Sequence, residues 1–567
     1  MRKSILCMFL TLMPFYGFAQ ELAVKVDSVG TLPKTLTDST KYHYSSLKIS
    51  GELNGVDLAL IKDIATHSKV KNPGEVLLSH IDLSDASIVE SKINKAIKTE
   101  HNVLPDKLFS GAKNLEAVVL PNTITAIGEA AFDGCKQLKT VSLPSNVKEV
   151  RVRAFNNCEA LEQVTFPNGF LMVGDHAFDH CEELKDVLLP NSVTKVGVSA
   201  FEGCKRLEHV VVDGPVATIE SSAFKGCEQL SSITLHDATK VIDKSAFEGC
   251  KSLPSIHLPE NLKEIGNHAF EECQNLKAIE LPTGVKKLGS QAFADCVSLE
   301  GISLNTSLSE LENSTFKGCT SLKAVALPKG VKKIGNHAFE NCKNMVSIEM
   351  SASLQSIGAS AFEGCKSLSS FTLPNTLNDI ASYAFKDCSA LTSVEIPITV
   401  KKMGNHVFEK CAALTTAKVN AFIKKLGDST FEDCISMNQV TLPNTLEEVQ
   451  DNAFQGCKAL TSITLPVTVK EIGSSAFRDC SSLQTVELPT SLKKIGSRAF
   501  SKCIALTNIR LHAALPPKCA GDNVFKDVPL YSCKLTVPTA CKPAYSMEKV
   551  WKSFPVIVEY TLVESIY

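Results

Sequence analysis

From residue 109 onward the apolar positions follow one repeating pattern. Phenylalanine recurs from Phe109 to Phe500 at eighteen positions in steps of 23 residues, with no insertion or deletion. Cysteine follows three residues later at seventeen of them, Cys135 to Cys503, and Ala112 is the exception. In the unit that opens at Cys135, Leu138, Val141, Leu143, Val147, Val150, Ala154 and Phe155 are apolar and the residues between them mostly polar. Val141 and Leu143 stand two apart, which predicts a short strand with one buried face. Proline closes that strand in twelve of the eighteen units, where a ladder donor is no longer needed. Gly128, Gly266, Gly335 and Gly473 are expected in the return turn, for their tolerance of positive φ. No unit can bury its own leucine, valine and phenylalanine, so the units must stack with like residues in register. The predicted fold class is a repeat solenoid.

The unit Cys457 to Phe477, CKALTSITLPVTVKEIGSSAF, resembles the BspA-like class of leucine-rich repeats almost letter for letter. The resemblance covers residues 109 to about 511. It implies a right-handed leucine-rich-repeat arc of short parallel strands joined by irregular return segments. It also implies an exported or surface-associated interaction protein.

Both ends of an open solenoid need capping. Leu78, Ile81 and Leu83 repeat the strand pattern outside the regular register, and Val56 to His67 and Ser91 to Thr99 read as short helices. Residues 44–105 are therefore expected to form an N-terminal cap of helix and strand. Residues 21–43 show no periodicity and are rich in Thr, Ser and Lys, so they are expected to be a flexible leader. The repeats then occupy 106–511. Residues 512–567 are expected to be a degenerate-repeat C-terminal cap. There Phe525 lies 25 residues after Phe500, and Leu535 to Pro538 reads as a strand. The stretch from Tyr545 through Trp551 and Phe554 to Glu559 is similar to the closing segment of the same family.

Residues 1–20 carry a positive start (Arg2, Lys3), an apolar run from Ile5 to Phe15, and small residues around Ala19. This is the pattern of a secretory signal peptide, too short to span a bilayer, and no later stretch reaches spanning length. The expected location is outside the cytoplasm, extracellular or at the cell surface, with the periplasm open.

Composition narrows the function. Lys plus Arg is 59 against 61 Asp plus Glu, a net charge of -2, which excludes a generally basic protein steered to nucleic acid. The cysteine ladder has no C-x-x-C and cannot enclose a tetrahedral zinc site. Export permits oxidation and adjacent coils bring cysteines near one another, but seventeen is odd and equivalent side chains point in parallel. Buried free thiols are the expectation. One disulfide among Cys519, Cys533 and Cys541 stays open. His176, His268, His337 and His406 share one repeat position, and the last three are 69 residues apart, too far to share a metal. No catalytic motif, cofactor site or metal site is visible, so the expectation is a non-enzymatic protein without cofactor.

Two surfaces could meet a partner. The first outward strand position carries only small residues from Ser232 to Thr416. The second carries Thr234, His257, Glu280, Ser303, Ala326, Glu349, Thr372, Glu395 and Lys418, a hydroxyl-rich face, acidic in its middle. Elsewhere on the coil, Lys286, Lys287, Lys332, Lys333, Lys401, Lys402, Lys424 and Lys425 form a candidate basic edge, and Glu248, Glu340 and Glu409 belong to an acidic stripe after the phenylalanines. Stacking would place like charges beside one another in each stripe. The functional expectation is binding to a protein or other cell-surface macromolecule, as an adhesin. A self-assembling surface scaffold is the alternative.

Overall fold

The computed structural model of the protein describes residues 21–91, 96–304 and 307–561. Residues 1–20, where a signal peptide is expected, lie outside the described residues. The chain divides into two compact units, one ending at Lys185 and the other beginning at Asp186.

In the first unit a parallel sheet runs through strands Glu21–Val26, Ser46–Leu53, His80–Asp82, Ala117–Val119, Thr140–Ser142 and Gln163–Thr165. Ala86–Ile88 pairs with Ser46–Leu53 beside it. The alternation read from sequence sets the burial: Val141 and Leu143 are buried, while Thr140 and Ser142 face out. Each coil also carries a second strand of two residues, such as Glu149–Val150, that the strand pattern did not announce. These short strands form their own parallel ladder from Val103–Leu104 to Met172–Val173.

Residues 21–43 are not a flexible leader. Glu21–Val26 pairs in parallel with Ser46–Gly51, and Leu32–Thr35 forms a helical turn. Asp57 ties this segment down. Its carboxylate is fully buried and accepts from the backbone N–H groups of Gly30 (2.7 Å) and Leu32 (2.9 Å). The same carboxylate closes a capping box with Asn54, which starts the helix Gly55–Thr66. Leu58, Ile61, Ile64 and Ala65 bury one face of that helix. The helix expected over Ser91–Thr99 is contradicted at its ends, because Ser91 and Thr99 pair across an antiparallel bridge.

The second unit repeats the same coil. Outer strands such as Ala278–Glu280, Ala324–Ala326 and Ser393–Ile396 form parallel sheets, and two-residue strands such as Lys333–Ile334 form the second ladder. Inside, the phenylalanine rings stack face to face. Centroids are 4.9–5.1 Å apart from Phe109 to Phe178 in the first unit. In the second, each ring from Phe201 to Phe500 stacks on the next, for example Phe339 on Phe362 at 5.3 Å. The ladder cysteines are buried free thiols that serve as donors: Cys250 Sγ donates to the carbonyl of Phe224 at 3.3 Å, and Cys365 Sγ to that of Phe339 at 3.1 Å. A disulfide would forfeit those bonds. Cys519, Cys533 and Cys541 are free as well.

The return-turn glycines serve a different purpose from the one expected. Gly128, Gly266, Gly335 and Gly473 do not adopt positive φ; a Cβ at Gly266 would fall 2.6 Å from the backbone nitrogen of Lys244, one coil back. They allow close coil-to-coil approach. Positive φ is found at two other places in the coil, two residues before phenylalanine and one before cysteine, as at Ser222 (φ 56) and Gly226 (φ 70). His176, His268, His337 and His406 occupy the first of these, where histidine is tolerated better than most residues.

The last coil is closed by aromatic residues. Phe525 continues the stack 5.6 Å from Phe500 and meets Trp551 and Phe554 edge-on. Tyr545 and Trp551 are buried, and each satisfies its polar atom: Tyr545 Oη donates to Ala513 O at 2.7 Å and Trp551 Nε1 to Pro517 O at 3.0 Å.

Candidate partner-binding surfaces

The outer strand face is exposed because alternate residues of each strand point inward and those between them point out. Ile279, Val325, Ile348 and Val394 are buried; Glu280, Ala326, Glu349 and Glu395 are exposed. Register places Glu280 beside Ser303, Ala326 beside Glu349, and Glu395 beside Lys418. Only the last pair brings charges together, with Lys418 Nζ 3.9 Å from Glu395 and Asn420 donating to the same carboxylate. Glu280 and Glu349 have no ion-pair partner among the described residues and stand three coils apart, about 14 Å at strand spacing.

The sheet under this face is interrupted. Pro254 removes a donor before Ser255–His257, which is not a strand, so His257 lies in a gap. At Ser370–Thr372 the inward position is Phe371, whose ring stacks on Phe385 at 4.6 Å, and only Ser370 retains a bridge. Thr372 therefore lies outside the ladder, while Thr234 and Lys418 lie within it.

The basic edge is in part an alternation of charges. Along the second ladder Lys287 pairs in register with Glu264, Glu310 with Lys333, and Lys425 with Glu448. Those neighbours form ion pairs: Lys287 with Glu264, Lys333 with Glu310 at 3.7 Å, and Lys425 with Glu448 at 2.8 Å. Lys424 joins Lys470 on Glu447, and their hydrogen bonds hold its carboxyl at about 2. Lys286, Lys332, Lys401 and Lys402 have no ion pair among the described residues. The acidic stripe is likewise paired: Glu248 with Lys225, Glu340 with Lys317 and His337, Glu409 with Lys386 and His406. The expected like-charge stacking is relieved at these alternating positions and remains where Glu448 meets Glu471 in register and where Lys240, Lys263 and Lys286 follow one another down the coils.

Among the described residues no group of three or more metal-ligating side chains could hold an ion, and no helix is long and apolar enough to cross a membrane.

The 23-residue coils match a known family model. The BspA-type leucine-rich-repeat region matches at residues 102–231, 217–346, 309–438 and 424–542. The chain belongs to the BspA-type leucine-rich-repeat family. A leucine-rich-repeat protein from Bacteroides ovatus is similar to this BspA-type chain at 32% identity and a TM-score of 0.57, over 62% of this chain and 92% of that one. A leucine-rich cell surface protein from Faecalibacterium prausnitzii is similar at 23% identity and a TM-score of 0.32, over 50% of this chain and 84% of that one. The pneumococcal vaccine antigen PcpA is similar at 20% identity and a TM-score of 0.37, over 70% of this chain and 93% of that one. No curated protein matches the sequence.

Proposed function

We propose that this BspA-type chain is an exported, non-enzymatic adhesin that docks a macromolecule of a host or neighbouring cell on its outer strand face. The observation that carries the reading is the face itself. Small side chains from Ser232 to Thr416 leave the strands unobstructed, and exposed Glu280 and Glu349 stand there without ion-pair partners among the described residues. A flat face contacted over several coils suits a protein surface better than a small molecule, which needs a concave pocket. Acidic groups on a hydroxyl-rich floor suit a partner that presents basic and hydrogen-bonding groups. Membership of a leucine-rich-repeat family, whose solenoids serve characteristically as interaction scaffolds, supports the same reading.

The test is binding of residues 21–567 to intact cells and to purified extracellular-matrix proteins. Saturable binding is expected. Its absence would overturn the adhesin.

A second reading, a self-assembling scaffold, is favoured by one observation. Glu21–Val26 and Ile557–Tyr560 each pair on one side only among the described residues, leaving strand edges able to template another chain. Light scattering separates the two: a constant mass with dilution supports the adhesin, and a concentration-dependent rise supports the scaffold.

A further inference from the structure

One coil of the second unit breaks the repeat at its surface. The residue two before the return lysine pair is Thr376, Thr399, Thr445 and Thr468 in the neighbouring coils, and Phe422 here. The hydroxyl donates to a carbonyl of the preceding coil at Thr376 (Leu354 O, 2.8 Å), Thr445 (Ile423 O, 2.8 Å) and Thr468 (Leu446 O, 2.6 Å), while that of Thr399 has no partner among the described residues. Phe422 has no hydroxyl to give. The carbonyl of Val400 is taken instead by the backbone N–H of Phe422, at 2.8 Å. The ring turns to solvent and is 62% exposed.

The short-strand ladder opens at the same place. It runs to Lys402–Met403, paired with Asp379–Ile380, and resumes at Lys425–Leu426, paired with Glu448–Val449. The two end strands are not paired with each other among the described residues. Between them lies a cleft of about 700 Å³ whose lining includes Met403 and Phe422, the lysines Lys401, Lys402, Lys424 and Lys425, and one acid, Asp379. Lys424 and Lys425 are shared with Glu447 and Glu448, whereas Lys401 and Lys402 have no ion pair among the described residues.

We infer that this cleft is a docking site for an acidic segment of a partner protein that carries an apolar side chain between its carboxylates. The lysines supply charge complementarity to carboxylates, and Phe422 with Met403 supplies an apolar platform for the side chain between them. The segment's carboxylates meet Lys401 and Lys402, and its apolar residue packs on the exposed ring. The inference rests on the protein-binding reading but uses a different surface from the strand face.

The test is fluorescence anisotropy of residues 21–567 with a labelled peptide in which four glutamates flank a central Leu-Phe pair. Phe422→Thr restores the residue usual at this position and is expected to weaken binding by about tenfold or more, as removing an interface anchor does. Lys401→Gln/Lys402→Gln is expected to do the same, and it alters only exposed side chains, so it carries the test should Phe422→Thr disturb the coil. Lys332→Gln/Lys333→Gln, in an uninterrupted stretch of ladder, is expected to leave binding unchanged. Parent-like binding by both cleft variants would overturn the site. So would equal loss in Lys332→Gln/Lys333→Gln, or tighter binding of a heparin dodecasaccharide that ignores Phe422→Thr. Cell and matrix binding is measured separately, so failure of the peptide does not count against the strand face, nor the reverse.

Discussion

The interior of the coil and its lysine-bearing edge are built on the same period, yet they repeat differently. Inside, each phenylalanine stacks on a phenylalanine and each thiol donates to the coil before it. On the edge, lysine often faces glutamate in the neighbouring coil, as Lys287 faces Glu264 and Lys425 faces Glu448, and where Glu448 meets Glu471 each is paired with a lysine on its other side. The difference is physical. An apolar ring or a thiol packs best on its own kind in the same rotamer, so stacking rewards identity. A charge stacked on its own kind at strand spacing is repelled, so the edge favours alternation. Repetition of residues is therefore a sign of the interior, and departure from it is where the surface acquires individual character.

Breaking the interior should have the largest effect. Phe339→Ala, in the middle of the second unit's stack, is expected to cost about 3–5 kcal/mol, because the cavity lies between rings 5.4 and 5.3 Å away on either side. Urea unfolding checks it, and hydrogen exchange should show the loss spreading to adjacent coils before distant ones. Asp57→Ala should cost about 2–4 kcal/mol by leaving the buried N–H of Leu32 and the half-buried N–H of Gly30 unpaired. Limited proteolysis should then release residues 21–43 while the repeats stay resistant.

The thiols sharpen the contrast through pH. Burial pushes them up, to about 12 at Cys135 and Cys503 and well above the ordinary value between them. A group whose folded pKa is raised contributes stability that is fully present below the unfolded value, near 9, and is lost as pH rises toward the folded one. The stack should therefore be indifferent to these groups at neutral pH and weaken in alkali. Cys365→Ala is expected to flatten that alkaline loss by about 1.4 kcal/mol per pH unit, read from urea midpoints at about pH 9 to 11. The edge should matter least. Lys425→Gln removes a half-exposed pair with Glu448 and is expected to change stability by less than about 1 kcal/mol, and by less again at high salt.

The interior was legible in the sequence because packing imposes the same residue in every coil: Leu138, Val141, Val150, Phe155 and Cys158 were each assigned inward, and each is buried. The capping helix Gly55–Thr66 was legible from its apolar spacing. The strand Glu21–Val26 was not, although Val24 and Val26 alternate with charged residues. It is held by a parallel ladder to Ser46–Gly51, and the chain after it by a distant carboxylate, Asp57, rather than by a repeat. The return glycines were placed correctly but for the wrong reason, since close approach between coils leaves no trace within one coil. At the surface, the lysine pairs were visible as a motif, while their glutamate partners were visible only one period away. Phe422 was hidden by its neighbours' regularity: it departs from the pattern at a position that contributes nothing to the core.

The most direct measurement compares two triple variants in one cell- and matrix-binding assay. Glu280→Lys/Glu349→Lys/Glu395→Lys reverses the strand face, and Lys286→Glu/Lys332→Glu/Lys333→Glu reverses the ladder edge. Saturable binding should be lost in the first and retained in the second. Retention in the first, or loss confined to the second, would contradict it.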